Sequence, residues 1–442
     1  KVTTTIPASY PFPWFRPKQG GVAIKTSASE EANSADVVDT DSDSILVIEQ
    51  DLWAIGREED PDAGEVLRIA RLLPLEGMKE FTIPLEKLST RSECLRILAF
   101  NGVVVDTDSK QKLIQRYLVN WNTTLQKTSE KLIATTHFGW AENYSKFIMG
   151  NREVNSSGIV TLIPSSVATK SIVPKYNTKG TLDNWKRVIN TYDNPGNEVR
   201  AFILFLSMGM PLYEFFKEGS GITHLTNSAS GVGKTTIQKA AASVWGHPVD
   251  TMMNENDTAL AVQHRAGTLR NLPVLIDEIT NMAPDKASDF AYRMAFNRGK
   301  NRMQAHTNAE RENVTEWHSV TITSGNNSLH DTLVAHKAMA AGELYRVLEI
   351  VVNRDDNLTT SESGEIFRSL SENYGLAGEV LAKYYVPNKE HCVDLLFKVQ
   401  KQFDAQVKRK NEERFYSMMI ATAITGGLIG AELGLHNIDV SR

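Results

Sequence analysis

The chain has 442 residues, 41% of them hydrophobic and 23% charged, and its 53 acidic and 48 basic side chains leave a formal net charge of −5. That length accommodates roughly two to four domains with a sizeable core. The charge balance excludes a surface coated with nucleic acid but permits a basic channel. Two distant cysteines, Cys94 and Cys392, with no Cys-x-x-Cys, exclude a disulfide framework or zinc finger and fit a reducing compartment. No signal peptide opens the sequence, which reads as cytoplasmic, in the host cytoplasm if viral. The start at Lys1 rather than methionine reads as a piece of a longer chain.

Residues 1–26 carry aromatics and prolines ("SYPFPWFRP"), and the Ser/Asp/Glu-rich run at 27–44 reads as a solvated linker. "ILVIEQDLWAIGRE", "VLRIARLLPL" and "KEFTIPL" predict strands of an antiparallel domain, followed by amphipathic helices at "TRSECLRILAFNG" and "SKQKLIQRYLVNWNTTLQ". Further strands are predicted around "HFGWAENYSKFIMGN". From "GTLDNWKRVI" the pattern turns helical, and "NEVRAFILFLSMGMPLYEFF" predicts one long helix buried on most sides. An α/β unit follows at about 219–356, then a mostly helical tail from Gly364. Within that tail the uncharged run Phe415–Ala431, broken by Gly426, Gly427 and Gly430, reads as a buried helix rather than a membrane span. The scattered histidines His224, His264, His306 and His318 lack ligand spacing and read as structural.

The stretch "SASGVGKTT" at 228–236 resembles the phosphate-binding loop G-x-x-x-x-G-K-[ST], with Ser228 in place of the first glycine. It lies between a predicted strand, "GITHLTN", and a predicted helix, "KTTIQKAAASVWG". Backbone N–H groups and a helix N-terminus suit an anionic phosphate. Ser228, Ala229, Ser230, Gly231, Val232, Gly233, Lys234, Thr235 and Thr236 are therefore the candidate ATP-binding residues. Lys234 spans the β- and γ-phosphates, and the Thr235 hydroxyl holds Mg²⁺. Ser228 stands where a turn is needed rather than a particular side chain, so the loop should still work.

"LPVLIDEIT" supplies a buried strand ending in Asp277, a second candidate Mg²⁺ ligand, and Glu278, placed as general base for an attacking water. "HSVTITSGNNS" predicts a third strand, whose terminal Asn326, or less favourably Asn327, orients that water. No Asn-Lys-x-Asp selects guanine, so the expected substrate is ATP. Between these strands a helix and a β-hairpin with its turn near Asn308 are predicted. Residues 290–309 there carry Arg293, Arg298, Lys300 and Arg302 and no acid. Arg298, Lys300 and Arg302 are the candidate DNA contacts, with solvation or the nucleotide phosphates as alternatives. Arg346 in "AGELYRVLEI" is the candidate arginine finger, acting on a neighbouring copy, with a salt bridge to Glu349 as the alternative. Arg414 is a weaker candidate for a second sensor.

The strand ending in asparagine resembles AAA+ and superfamily III ATPases. The order of "FGW", "GTLDNW", "GMPLYEFF", "SGVGKTT", "NDTALAVQHRAGTLRNLPVLIDEI", "GKNR" and "AGELYRVLEI", spread over nearly the whole chain, resembles the family filed as domain of unknown function 927. The resemblance implies a self-assembling P-loop ATPase of phage or mobile-element replication, similar to MCM-like helicases, with a primase as partner or fused domain. It points to Lys234, Thr235, Asp277, Glu278, Lys300, Arg302 and Arg346. The expected fold is α/β: an AAA+-type P-loop core at 219–356, an N-terminal β-rich α+β domain at 1–130, a hairpin and helical segment at 131–218, and a helical lid at 357–442. The expected function is an ATP-dependent, hexameric DNA helicase or translocase acting on single-stranded or forked DNA, with no membrane partner. The alternative is an ATP-driven switch or scaffold that binds protein partners.

Overall fold

The computed structural model describes residues 5–25, 44–60, 63–166, 169–299, 302–303, 310–311, 315–336, 341–355 and 360–441. Lys300, His306, the turn expected near Asn308 and nearly all of the acidic run at 27–44 lie outside the described residues. The chain divides into two compact units, one of Lys1–Thr136 with Ile163–Ala168, the other of His137–Leu162 with Thr169–Arg442.

In the first unit, strands β1 (Trp14–Phe15), β2 (Val22–Lys25) and β3 (Ser44–Ile48) form one antiparallel sheet. β4 (Asp51–Asp60), β5 (Gly64–Leu73) and β6 (Gly77–Pro84) form a second antiparallel meander, and β7 (Leu132–Ile133) joins the free edge of β4. Helices α1 (Leu85–Ser89), α2 (Arg91–Phe100) and α3 (Asp108–Thr128) follow. The apolar face of α3 buries Leu113, Ile114, Tyr117, Leu118 and Trp121. Tyr117 also donates its hydroxyl to Leu52 O at 2.5 Å, which ties α3 to β4 through a buried polar group that would otherwise be costly.

The second unit opens with the antiparallel strands β8 (Gly139–Ala141), β9 (Lys146–Met149), β10 (Arg152–Asn155) and β11 (Val160–Leu162), then α4 (Leu182–Ile189) and α5 (Glu198–Gly209). The long helix expected through 216 stops at Gly209 and continues as a 3₁₀ segment, Met210–Phe216. Pro211 explains the change, because it lacks an N–H and clashes with the preceding turn.

The core sheet is parallel. Its strands are β12 (Gly221–Thr226), β13 (Met253–Asn254), β14 (Val274–Asp277), β17 (Val320–Gly325) and β18 (Val347–Val351), in the spatial order β13-β14-β17-β12-β18. Helices α6 (Lys234–Ser243), α7 (Ala259–Leu269), α8 (Pro284–Ala295), α9 (Leu329–His336) and α10 (Ala341–Leu344) connect them. The short antiparallel pair β15 (Arg302–Met303) and β16 (Glu310–Arg311) lies between α8 and β17, where the hairpin was predicted. Every residue of β12 and β17 is buried, as a sheet covered on both faces requires.

Among the described residues, four C-terminal α-helices follow: α11 (Thr360–Glu372), α12 (Leu376–Tyr385), α13 (Lys389–Val407) and α14 (Arg414–Glu432). The Glu198–Phe216 segment is long and apolar enough to cross a membrane, yet 78% of it is buried within the fold. It packs against α14 through glycine: a Cβ on Gly426 would sit 2.3 Å from Phe205 O and 2.4 Å from Gly209 N. The uncharged run 415–431 is thus a buried helix whose glycines permit backbone-to-backbone approach.

Candidate nucleotide site

Parallel strands end together, so the loops after β12, β14, β17 and β18 meet at one edge of the sheet, where open α/β sheets bind ligands. They border a cavity of about 400 Å³ lined by residues 230–236, Glu278, Asn326, Arg354 and Asp355, together with Tyr192, Arg200, and Ser363 and Ile366 of α11.

The loop after β12 is built from its own polar groups. Asn227 accepts from Ala229 N through Oδ1 at 2.8 Å and donates through Nδ2 to Val352 O at 2.8 Å. Left-handed backbone falls on Gly231 (φ +77°) and Gly233 (φ +97°), whereas Ser228 does not require it. This is the physical reason a serine can open the loop. Gly233 then caps α6, whose first residue is Lys234.

Lys234 is buried, and its ammonium donates to Asn227 O and to Asn326 Oδ1, each at 2.7 Å. Burial holds its pKa below the ordinary lysine value, with Glu278 and Asp277 opposing that shift. The Thr235 hydroxyl donates to Asp277 Oδ1 at 3.1 Å. The same carboxylate oxygen accepts from Ser324 Oγ at 2.6 Å, and Ser324 Oγ accepts from Glu278 N at 3.1 Å. Glu278 itself adopts φ +56°, a conformation that costs a non-glycine residue of order 1 kcal/mol and clusters at functional sites. Asn326 N donates to Thr280 Oγ1 at 2.6 Å. Asn327 instead offers its carbonyl to His224 and its amide to Thr280 O, and does not line the cavity.

The structure thus brings Ser230, Gly231, Val232, Gly233, Lys234, Thr235, Thr236, Glu278 and Asn326 to one cavity, with Asp277 joined to Thr235. Ser228 and Ala229 belong to the same loop but stand outside the lining. Arg298 pairs with Glu316 at 3.5 Å, away from the cavity lining. Arg302 lies in β15, and Lys300 lies outside the described residues. Arg346 donates Nη1 to Gly342 O at 2.7 Å and stacks 5.4 Å from the Phe415 ring centre; among the described residues no ion pair joins it to Glu349, which instead accepts from Leu329 N and His330 N. Arg414 pairs with Glu218 at 2.9 Å.

Sequence reasoning missed the lining residues Arg354, Asp355, Ser363 and Ile366, and three others whose contacts bear on the site. Ser324 links Asp277 to Glu278. Arg200, buried, donates Nη2 to Val232 O and Asn353 O at 3.2 Å each; a cation inside an apolar helix was the available signal. The Tyr192 hydroxyl is buried at the cavity without a hydrogen-bond partner among the described residues, and burial pushes its pKa up to about 12.

The donor set fits a hard cation. A threonine hydroxyl and an aspartate oxygen in contact, with no cluster of three or more His, Cys, Asp or Glu among the described residues, is the sparse protein contribution typical of Mg²⁺ shared with substrate phosphates.

The class is therefore a mixed α/β protein with a cavity at the carboxyl edge of a parallel sheet. The chain belongs to the family described as "Domain of unknown function (DUF927)", whose profile matches residues 52–314. Among solved structures, "SCCmec type IV Cch - active helicase" superposes with a TM-score of 0.69 at 17% identity, over 97% of this chain and 76% of that one. That likeness shows a shared fold. The C-terminal region of NrS-1 (TM-score 0.30, 11% identity, 87% of each chain) and an inhibitor-bound JCV helicase (0.28, 11%, 50% of this chain and 65% of that one) match too distantly to carry an argument. No curated protein matches the chain.

Proposed function

We propose that the chain is an AAA+-type ATPase that works as a DNA helicase or translocase in the replication of a phage or mobile element. The observation that carries the ATPase reading is the meeting of Lys234, Thr235, Glu278 and Asn326 on one cavity, with Asp277 hydrogen-bonded directly to Thr235 and joined to Glu278 N through the Ser324 hydroxyl. In this reading the N–H groups at the start of α6 hold the β-phosphate and Lys234 neutralises the γ-phosphate. Thr235 and Asp277 would hold Mg²⁺, which neutralises charge developing on the phosphates when bound. The Glu278 carboxylate takes a proton from the attacking water, and Asn326 orients that water while positioning Lys234. Arg200 braces the loop through Val232 O from within the cavity lining, and α11, through Ser363 and Ile366, serves as lid.

The motor is assigned to 219–356, with the N-terminal β-rich region as a collar and the C-terminal helices as the lid region. Arg346 acts on the neighbouring copy in a ring, a hexamer, where an arginine finger is worth about 10³–10⁵ in turnover. Arg298, Lys300 and Arg302 track the backbone of single-stranded DNA. A primase domain or protein is the expected partner. The fold shared with a structure entitled an active helicase supports this reading beside the site.

A forked duplex with ATP and Mg²⁺ tests it. The wild-type protein should separate the strands, and Glu278→Gln should bind the fork without separating it. Failure of the wild type, or unwinding by the variant, refutes the assignment.

A further inference from the structure

One exposed feature has no role in the nucleotide site. Helix α8 buries Ala287, Ala291, Met294 and Ala295. On its other side Tyr292 and, at its C-cap, Phe296 stand 52% and 59% exposed, one turn apart. Their rings stack on each other with centres 6.0 Å apart and planes inclined by 20°. Residues four apart share a helix face, so the pair forms one aromatic shelf. Large aromatics exposed side by side mark an interaction surface more often than a bare accident of packing.

The surroundings select the occupant. The shelf lies within residues 290–309, a stretch whose sequence carries four cations and no acid. Arg293 is held by Asp289 at 2.6 Å, while Arg298, two residues beyond Phe296, makes among the described residues a 3.5 Å pair with Glu316, and both side chains of that pair are about half exposed. A single-stranded nucleic acid supplies a π-face for the rings and phosphates for the cations at once.

We propose that Tyr292 and Phe296 are a stacking platform for the bases of single-stranded DNA, with the half-exposed Arg298, two residues beyond Phe296, holding a phosphate. The inference rests on the DNA-motor reading and adds that the protein grips bases as well as backbone. Stacking asks nothing of base identity, so the grip is indifferent to sequence.

The test is binding, by fluorescence anisotropy at matched salt, of a labelled strand of about twenty thymidines and of an abasic strand of equal length, which keeps the phosphates and lacks the rings. The wild-type protein should bind the thymidine strand about tenfold or more tighter than the abasic one, the scale of a stacked base. Tyr292→Leu/Phe296→Leu, which keeps apolar bulk, should bind both strands as the wild type binds the abasic one. Its salt dependence should be unchanged, because the cations remain. Equal wild-type binding to the two strands overturns the platform while leaving the DNA reading intact. Binding to neither strand overturns both. A Leu/Leu variant that keeps its preference for bases also refutes the proposal, and if its oligomeric state falls instead, the shelf is a contact between copies of the chain.

Discussion

Ser324 is the hinge pin of the proposed hydrolytic site, and Ser324→Ala tests that role. Its hydroxyl, fully buried, donates to Asp277 at 2.6 Å and accepts from Glu278 N at 3.1 Å. Deleting a hydrogen bond to a carboxylate costs about 1.5–3 kcal/mol. The Glu278 N–H loses its partner as well, in a residue already held at φ +56°, where the strain is of order 1 kcal/mol. The combined destabilisation should be roughly 2–4 kcal/mol, read as a lower denaturant midpoint with an unchanged slope. The larger effect should fall on the metal. Removing a partner behind a ligating carboxylate typically costs about 10–100-fold in metal affinity or activity, so half-maximal ATP turnover should need about tenfold more Mg²⁺. A Mg²⁺ titration of Ser324→Ala that superimposes on the wild type would refute the reasoning.

Gly426→Ala places a methyl 2.3 Å from Phe205 O, where backbone faces backbone and nothing flexible can yield. It should lower stability by about 1–3 kcal/mol or more, whereas Gly364→Ala, with open space around its Cβ, should be neutral or raise it by about 0.5–1 kcal/mol; paired thermal melts check both. His137 is held neutral to about pH 4 by burial and by Arg270, whose Nη1 lies 3.0 Å from its Nε2. Because the unfolded chain takes up that proton near pH 6.5 and the folded chain only near 4, stability should be fully present above about 6.5 and fall by up to roughly 3 kcal/mol as pH drops through that window. His137→Gln should flatten this part of the stability curve. Neither Arg346→Ala nor Glu278→Gln alone should turn over ATP appreciably, but mixing them should restore roughly a quarter of wild-type activity, the share of interfaces that pair an intact Glu278 with an intact Arg346; no recovery on mixing would argue against action between copies.

Much of the candidate site's geometry was legible because its signals are local. The loop 228–236, the strand ending at Asp277 and the strand ending before Asn326 each announce themselves by composition. Parallel pairing of β14 with β17 and of β17 with β12 then brings them together. The antiparallel meander of the first unit was legible for the same reason, alternation along single strands. Contributions made across the fold were not. Arg200 reaches the loop from a helix upstream of it, Tyr192 arrives from a 3₁₀ turn, and Ser324 looks like one more small residue of a buried strand. The expected α5 helix overran because apolar periodicity continues past Pro211 while the hydrogen-bond ladder cannot. The shelf of Tyr292 and Phe296 was hidden in the same way: apolar residues on a helix read as core until the structure shows which face is covered.

The central claim is that this cavity hydrolyses ATP in the service of DNA. It is tested most directly by steady-state ATP hydrolysis with and without single-stranded DNA, in the wild type and in Lys234→Ala. The account predicts turnover that rises when DNA is added and disappears in the variant. Turnover indifferent to DNA, or none under either condition, would contradict it.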